Sequence, residues 1–202
     1  NFTTATNTYN VAVGRSAGAA VSTGIQNTLI GALAGDALTD ADKNVAIGYG
    51  ALTTDTLGSR SVAIGTFALE DQNFTSATDA YNVAVGNAAG ANVTTGTMNT
   101  LIGGLAGDAI TTGQYNVAIG VDALSVEDTA SKSVAVGTSA LAVQNAGTVD
   151  AYNVAVGHNS GVNVTTGVNN TLIGGLAGDA LTDADNNVAI GWSALTADTL
   201  GS

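Results

Sequence analysis

The chain has no cysteine and no proline, and its 202 residues include one histidine, one tryptophan and one methionine. Without cysteine there are neither disulfides nor thiolate metal ligands. Without proline no backbone donor is lost inside a sheet, so turns fall to residues that accept positive φ, and 27 glycines are present for that work. Aromatic residues are 4% of the chain against 45% hydrophobic overall, so the interior must be filled by Val, Ile, Leu and Ala. Small filling of that kind suits a narrow, regular core. Basic residues are equally scarce: 4 Lys and Arg face 16 Asp and Glu, a net charge of −12. No basic patch exists to neutralise phosphates, which argues against nucleic acid and against contact with an anionic membrane surface. No apolar run reaches the length of a membrane span.

What the chain has is repetition. The phrase NVAVG at Asn10 to Gly14 returns as NTLIG, NVAIG and SVAIG, ending at Gly31, Gly48 and Gly65. Further endings fall at Gly86, Gly103, Gly120, Gly137, Gly157, Gly174 and Gly191, in steps of 17 except for one of 21 and one of 20. A fixed period of that length is the mark of a solenoid, each period being one coil. The chain is therefore expected to be a single all-β rod over 1–202, of about eleven 17-residue coils. Four coils make a larger unit, giving units of about 1–79, 80–150 and 151–202. Units one and three are the closer pair: the 24 residues from Asp36 and from Asp179 agree at 20 positions. The opening NFTTATNTYN aligns with NFTSATDAYN from Asn73, so the chain reads as a segment that starts inside a repeat of a longer protein.

Within each coil the residue before the key glycine is Val or Ile, and two residues earlier stands Val or Thr. Alternation along a strand puts these on one face, expected to fill the coil interior. Between them is Ala or Leu, as at Ala12, Leu29, Ala46, Ala84, Leu101 and Leu172. That places a second apolar face on the same strand. One solenoid interior covers one face only, so the Ala and Leu face is expected to pack on another copy of the chain. A second, solvent-facing strand is expected later in each coil.

Residues with possible chemistry are few. The Asn or Ser four residues before each key glycine, Asn10 through Asn187, reads as a structural amide ladder. Asp40 and Asp42 lie in DADKN, and Asp183 and Asp185 in its counterpart DADNN; both resemble the start of a calcium loop but lack its turn glycine and distal glutamate. They are weak metal candidates, and no cofactor is expected. His158 occupies a variable slot that holds Arg15 and Asn87 in the other units, so no catalytic set forms around it and the chain is not expected to be an enzyme. Better candidates for binding are the aromatics after the key glycine, Tyr49 and Trp192, and the long turns at the unit boundaries with Phe74, Thr75 and Thr148. Those turns exceed the coil length and are expected to project from the rod.

The phrase N-[V/T]-[A/L]-[V/I]-G followed by xxAG or xxAL resembles the head repeats of trimeric autotransporter adhesins of the YadA type. It is similar also to repeats of phage tail fibres, and the likeness runs through essentially the whole chain. The resemblance implies a left-handed parallel β-roll in a homotrimer. It further implies an extracellular fibre segment, on a virion or a bacterial surface, that supports attachment to a host-cell or glycan receptor. The 17-residue coil and the longer fourth step depart from the family pattern, so its ligand preferences do not transfer. An ice-binding solenoid would need a Thr row in every coil, whereas Thr23, Thr95 and Thr166 recur once per unit. A polysaccharide-degrading β-helix would need a carboxylate cluster in a groove.

Overall fold

A three-residue apolar run closed by glycine is all the strand that a short coil can hold, and each phrase forms one. The computed structural model describes residues 7–199. The chain runs β1 (Val11–Val13), β2 (Thr28–Ile30), β3 (Val45–Ile47), β4 (Gly58–Ser59), β5 (Val62–Ile64), β6 (Thr78–Asp79) and β7 (Val83–Val85). It continues with β8 (Thr100–Ile102), β9 (Val117–Ile119), β10 (Val134–Val136), β11 (Val154–Val156), β12 (Thr171–Ile173) and β13 (Val188–Ile190). All except β4 and β6 form one 11-stranded parallel sheet in sequence order. The register is constant, Ala12 opposite Leu29, Leu29 opposite Ala46 and so on, so equivalent residues stack in rows. The result is a β-solenoid of eleven turns, on the order of 50 Å long at ~4.8 Å per strand.

Which side of the strand faces in is the reverse of the expectation. Leu29, Leu101 and Leu172 are 0–1% exposed and Ala46 and Ala84 are fully buried, all inside the coil of their own chain. Ala12 belongs to the same inward row, although it is exposed at the first coil. Leu29, Leu101, Leu172, Ala46 and Ala84 are covered by their own chain and leave no surface for another to meet. The outward face is the β-branched one: Val13, Ile30 and Ile102 are 58, 38 and 37% exposed.

Side-chain volume explains the arrangement. The interior is narrow, and most coils put a large residue into it from one of two places, whereas Ala12, Ala84 and Ala155 are followed six positions on by Gly18, Gly90 and Gly161 and leave room for the leucine of the next coil. Where the strand centre is Leu29, the residue six positions on is Gly35, and a Cβ there would lie 2.8 Å from Leu29 Cδ2. Where the centre is Ala46 or Ala63, the same later position carries Leu52 or Leu69, both fully buried. Leu101 also reaches into the preceding coil, 2.6 Å from where a Cβ on Gly90 would stand. The four-coil unit is thus a packing cycle. Burying each such Leu contributes roughly 1.5–3 kcal/mol, against a backbone that holds two or three non-glycine residues per coil at positive φ.

The asparagine ladder closes both the coil and the stack. Asn27 Oδ1 accepts the backbone N–H of Asn44 at 2.9 Å in the next coil, while its Nδ2 donates to Ala41 O at 2.8 Å across its own coil. Asn99 repeats both bonds, with Asn116 N at 2.9 Å and Gly113 O at 2.9 Å. Every fourth coil has serine, whose side chain is too short to span either distance. There a buried polar cluster takes over. Gln72 Nε2 donates to Ser61 Oγ at 3.1 Å and Asp55 Oδ2 at 2.6 Å, and Gln72 Oε1 accepts from Asn82 Nδ2 at 2.8 Å. Gln144 makes the matching bonds to Ser133, Glu127 and Asn153 in unit two. Asp55 and Glu127 are fully buried and satisfied by backbone N–H groups, Gly58 at 2.9 Å and Ala130 at 2.8 Å. Burying a carboxyl group this way requires such pairing.

The expected second strand does not run through the rod. Among the described residues only the short β4–β6 pair and an isolated bridge from Ser131 to Asp150 form on that side, both at unit boundaries. Elsewhere single backbone bonds such as Lys43 N to Ile25 O at 3.0 Å alternate with side-chain bonds: Asp42 Oδ1 accepts Ile25 N at 2.8 Å and Ser59 Oγ accepts Asp42 N at 2.9 Å.

Candidate functional site

The rod offers three surfaces: the turns at the unit boundaries, the acidic turns, and the outer side of the sheet with its edge. The boundary turn of unit one does not project as a whole. Phe74 is 6% exposed, and its backbone N–H lies 3.2 Å from the buried Asp55 Oδ1. It is a core residue and cannot contact a receptor; Asp71, Thr75 to Ala77 and Asp79 are the exposed residues of the turn. The folding-in follows from the polar cluster, which draws the chain inward immediately before Phe74. In unit two Thr148 and Val149 are exposed, and a Cβ on Gly147 would meet nothing within 4 Å.

The acidic turns are engaged in hydrogen bonds. Asp40 accepts from Thr23 Oγ1, and Asp183 accepts from Thr182 Oγ1 at 3.1 Å. Asp185 Oδ1 accepts Val168 N at 2.7 Å, the counterpart of the Asp42 bond. Among the described residues no group of three or more His, Cys, Asp or Glu is arranged to hold a metal ion. Asp108 is pushed above the usual carboxylate range chiefly by burial, with the nearby Asp122 adding to the shift against an opposing backbone hydrogen bond. His158 is exposed on an outer turn.

The tyrosines and Trp192 are outside. Tyr49 is 48% exposed and meets the ring of Phe67 edge-to-face at 5.2 Å. Trp192 is 79% exposed. A third group lies beside the sheet, at the residue before each ladder Asn. There Tyr9, Tyr81, Tyr115 and Tyr152 are all exposed and all at φ 51–60°. At two boundaries this row is tied down. Arg60 lies 5.6 Å from the Tyr81 ring centre, with Nε 2.8 Å from Asp79 Oδ1. Lys132 lies 5.1 Å from the Tyr152 ring centre, with Nζ 2.6 Å from Asp150 Oδ2 and 3.1 Å from Tyr152 Oη. The Lys132 ammonium holds the Asp150 carboxyl below its ordinary range.

The largest continuous feature is the sheet's outer face. Each strand presents two side chains outward, Val or Thr and then Val or Ile, repeated over eleven strands in constant register. Thr28, Thr100 and Thr171 are the only hydroxyls in it. Sequence reasoning found this apolar stripe but put it inside. The signal that would have placed it was the exchange of Leu and Gly for Ala and Leu between two positions, which only residues sharing one interior need to make.

No family model, curated protein or solved structure matches the chain. Among the described residues no helix is long and apolar enough to cross a membrane.

Proposed function

We propose that this chain is a segment of a homotrimeric fibre, whose three solenoids pack through the Val, Ile and Thr face of their sheets. The observation that carries the reading is that face. Parallel sheets are ordinarily covered on both sides, and here one side of an 11-stranded sheet has only β-branched apolar residues and three threonines facing out. Its extent, about 50 Å by 10 Å from strand geometry, exceeds the apolar patches that single soluble chains usually leave open. A second copy offers a flat partner of the same period, strand for strand. The number three rests on the resemblance of the repeated phrases to trimeric autotransporter heads and tail-fibre repeats. The acidic surplus then lies on the outside of the assembly and keeps fibres apart. The segment works outside the cell, on a virion or a bacterial surface, as a shaft or head that supports attachment, and performs no catalysis.

The test is a pair of charges on the face. Ile102→Lys with Ile119→Lys leaves the interior row untouched and adds like charges around the axis. Multi-angle light scattering should give a trimer for the native segment and a monomer for the variant, with the β circular-dichroism signal kept. A native segment that is monomeric at micromolar concentration, or a variant of native mass, would refute the interface.

One observation favours a second reading, ice binding through the same face. Outward side chains on successive parallel strands form a flat lattice, ~4.8 Å between strands and ~7 Å along them. With hydroxyls only at Thr28, Thr100 and Thr171, that lattice is poor in groups that anchor water. Ice-recrystallisation inhibition by the isolated segment separates the two.

A further inference from the structure

The edge row beside the sheet concentrates side chains that are rare elsewhere in the molecule. It holds Tyr9, Tyr81, Tyr115 and Tyr152, four of the 5 tyrosines, and Lys43, Arg60 and Lys132, three of the 4 basic residues. Each sits in the left-handed region, where Gly or Asn would be least strained and a bulky ring is an outlier. The backbone conformation therefore does not explain the choice of tyrosine. Packing does not explain it either: Tyr81, Tyr115 and Tyr152 are 47, 49 and 51% exposed. Their backbone positions are nonetheless fixed, because the row is stitched coil to coil, Met98 N to Ala80 O at 2.8 Å, Tyr115 N to Thr97 O at 3.1 Å and Lys132 N to Gln114 O at 3.0 Å.

We infer that this row is a binding track for a neutral, extended polysaccharide, lying along the rod with sugar rings against Tyr81, Tyr115 and Tyr152. The spacing supports it. The three tyrosines are two coils apart in turn, ~10 Å from strand stacking, which is the scale on which an extended β-linked glycan ribbon presents the same face of alternate rings. At Tyr81 and Tyr152 the cation covers the ring and the neighbouring aspartate fixes the hydroxyl, Tyr152 Oη lying 3.3 Å from Asp150 Oδ2. That leaves an ordered aromatic body with part of its surface open, at little cost in side-chain entropy on binding. Electrostatics choose the class of sugar. Arg60 and Lys132 are each paired with an aspartate and the whole chain carries −12, so a polyanion is repelled while hydroxyls find donors and acceptors beside the rings. The assignment rests on the attachment reading for its purpose, but not on the interface, since the row lies outside the Val and Ile face.

The experiment is affinity electrophoresis of the full segment in gels containing hydroxyethylcellulose or glucomannan, with alginate as the acidic probe and light scattering on the same samples. Retardation by at least one neutral glycan and none by alginate is expected. Tyr115→Asn, which suits the left-handed backbone, should weaken binding about three- to tenfold. The triple Tyr81, Tyr115, Tyr152 variant to Asn should abolish it, with mass and circular dichroism unchanged. Tyr49→Asn, on another face, should bind like the native chain. Retardation by alginate alone, no retardation by either neutral glycan, or a triple variant that still binds would each overturn the track. A triple variant that loses its oligomeric mass would overturn it too, by making the row a chain contact. A monomeric native segment that still binds would sink the trimer and leave the track standing.

Discussion

Two adjacent glycines give the sharpest test of the coil. Gly103 follows β8 with φ +136°, and a Cβ there would stand 2.4 Å from Gly120 O and 2.6 Å from Gly120 C in the next coil. The clash is with backbone, and Gly120 is itself fixed by its N–H to Ile102 O at 2.7 Å. Relief must therefore open the sheet. Gly103→Ala combines a conformation that L-residues avoid, about 1–3 kcal/mol, with an overpacked contact of similar size, so a loss of roughly 2–6 kcal/mol is expected. Gly104, the next residue, lies outside the left-handed region, and a Cβ there would meet nothing within 4 Å. Its counterpart in the second coil is already Ala32. Gly104→Ala should be neutral or stabilise by about 0.4–1 kcal/mol through the unfolded chain. Thermal melts give the order of stability, and native-state hydrogen exchange should place the Gly103→Ala damage at β7 to β9. Equal melting temperatures for the two variants, or a Gly103→Ala protein within 0.5 kcal/mol of native, would refute the stacking argument.

Other consequences follow from the same geometry. Leu101→Ala should cost about 2–5 kcal/mol by denaturant melt, as an interior deletion, while Ile102→Ala in the monomer should cost less than ~1 kcal/mol; the reverse order would restore the opposite facing of β8. Phe74→Ala should lower stability by about 3–5 kcal/mol and Thr75→Ala by no more than ~0.5 kcal/mol, which a thermal shift assay reads directly. Gln144→Leu leaves Glu127 and Asn153 each short of a buried partner, and a loss of about 2–4 kcal/mol by denaturant melt is expected. For Asp150, whose carboxyl is held low by Lys132, NMR titration should show a depressed value that returns to the ordinary range in Lys132→Gln. The pair's contribution is fully present above the ordinary carboxylate range and disappears as pH falls through the depressed value; both groups are exposed, so added salt should reduce it.

Much of this architecture is written locally. The 17-residue step, the glycine that ends each strand and the Asn before it are each determined by one coil meeting an identical neighbour, so a single period carries the information. The ladder at Asn10 to Asn44 and its interruption at Ser61 were legible for that reason. The facing of the strand was not. Val45 and Ile47 on one side and Ala46 on the other are both apolar, and alternation states only that they are opposite. What decides between them is the width of the interior, which admits Ala46 with Leu52, or Leu29 with Gly35, but not a row of β-branched side chains. Phe74 was misplaced for a related reason. Length alone makes its turn an excess loop, and only the buried Asp55 and Gln72, meeting across 17 residues, pull it into the core. The tyrosine row, too, exists only as tertiary structure: its tyrosines lie 34 or more residues apart in the chain, and the constant register of parallel strands brings them into one line. Periodicity is a property of the backbone ladder and can be read one coil at a time, whereas inside and outside depend on how much volume a closed coil leaves, and no single coil contains that quantity.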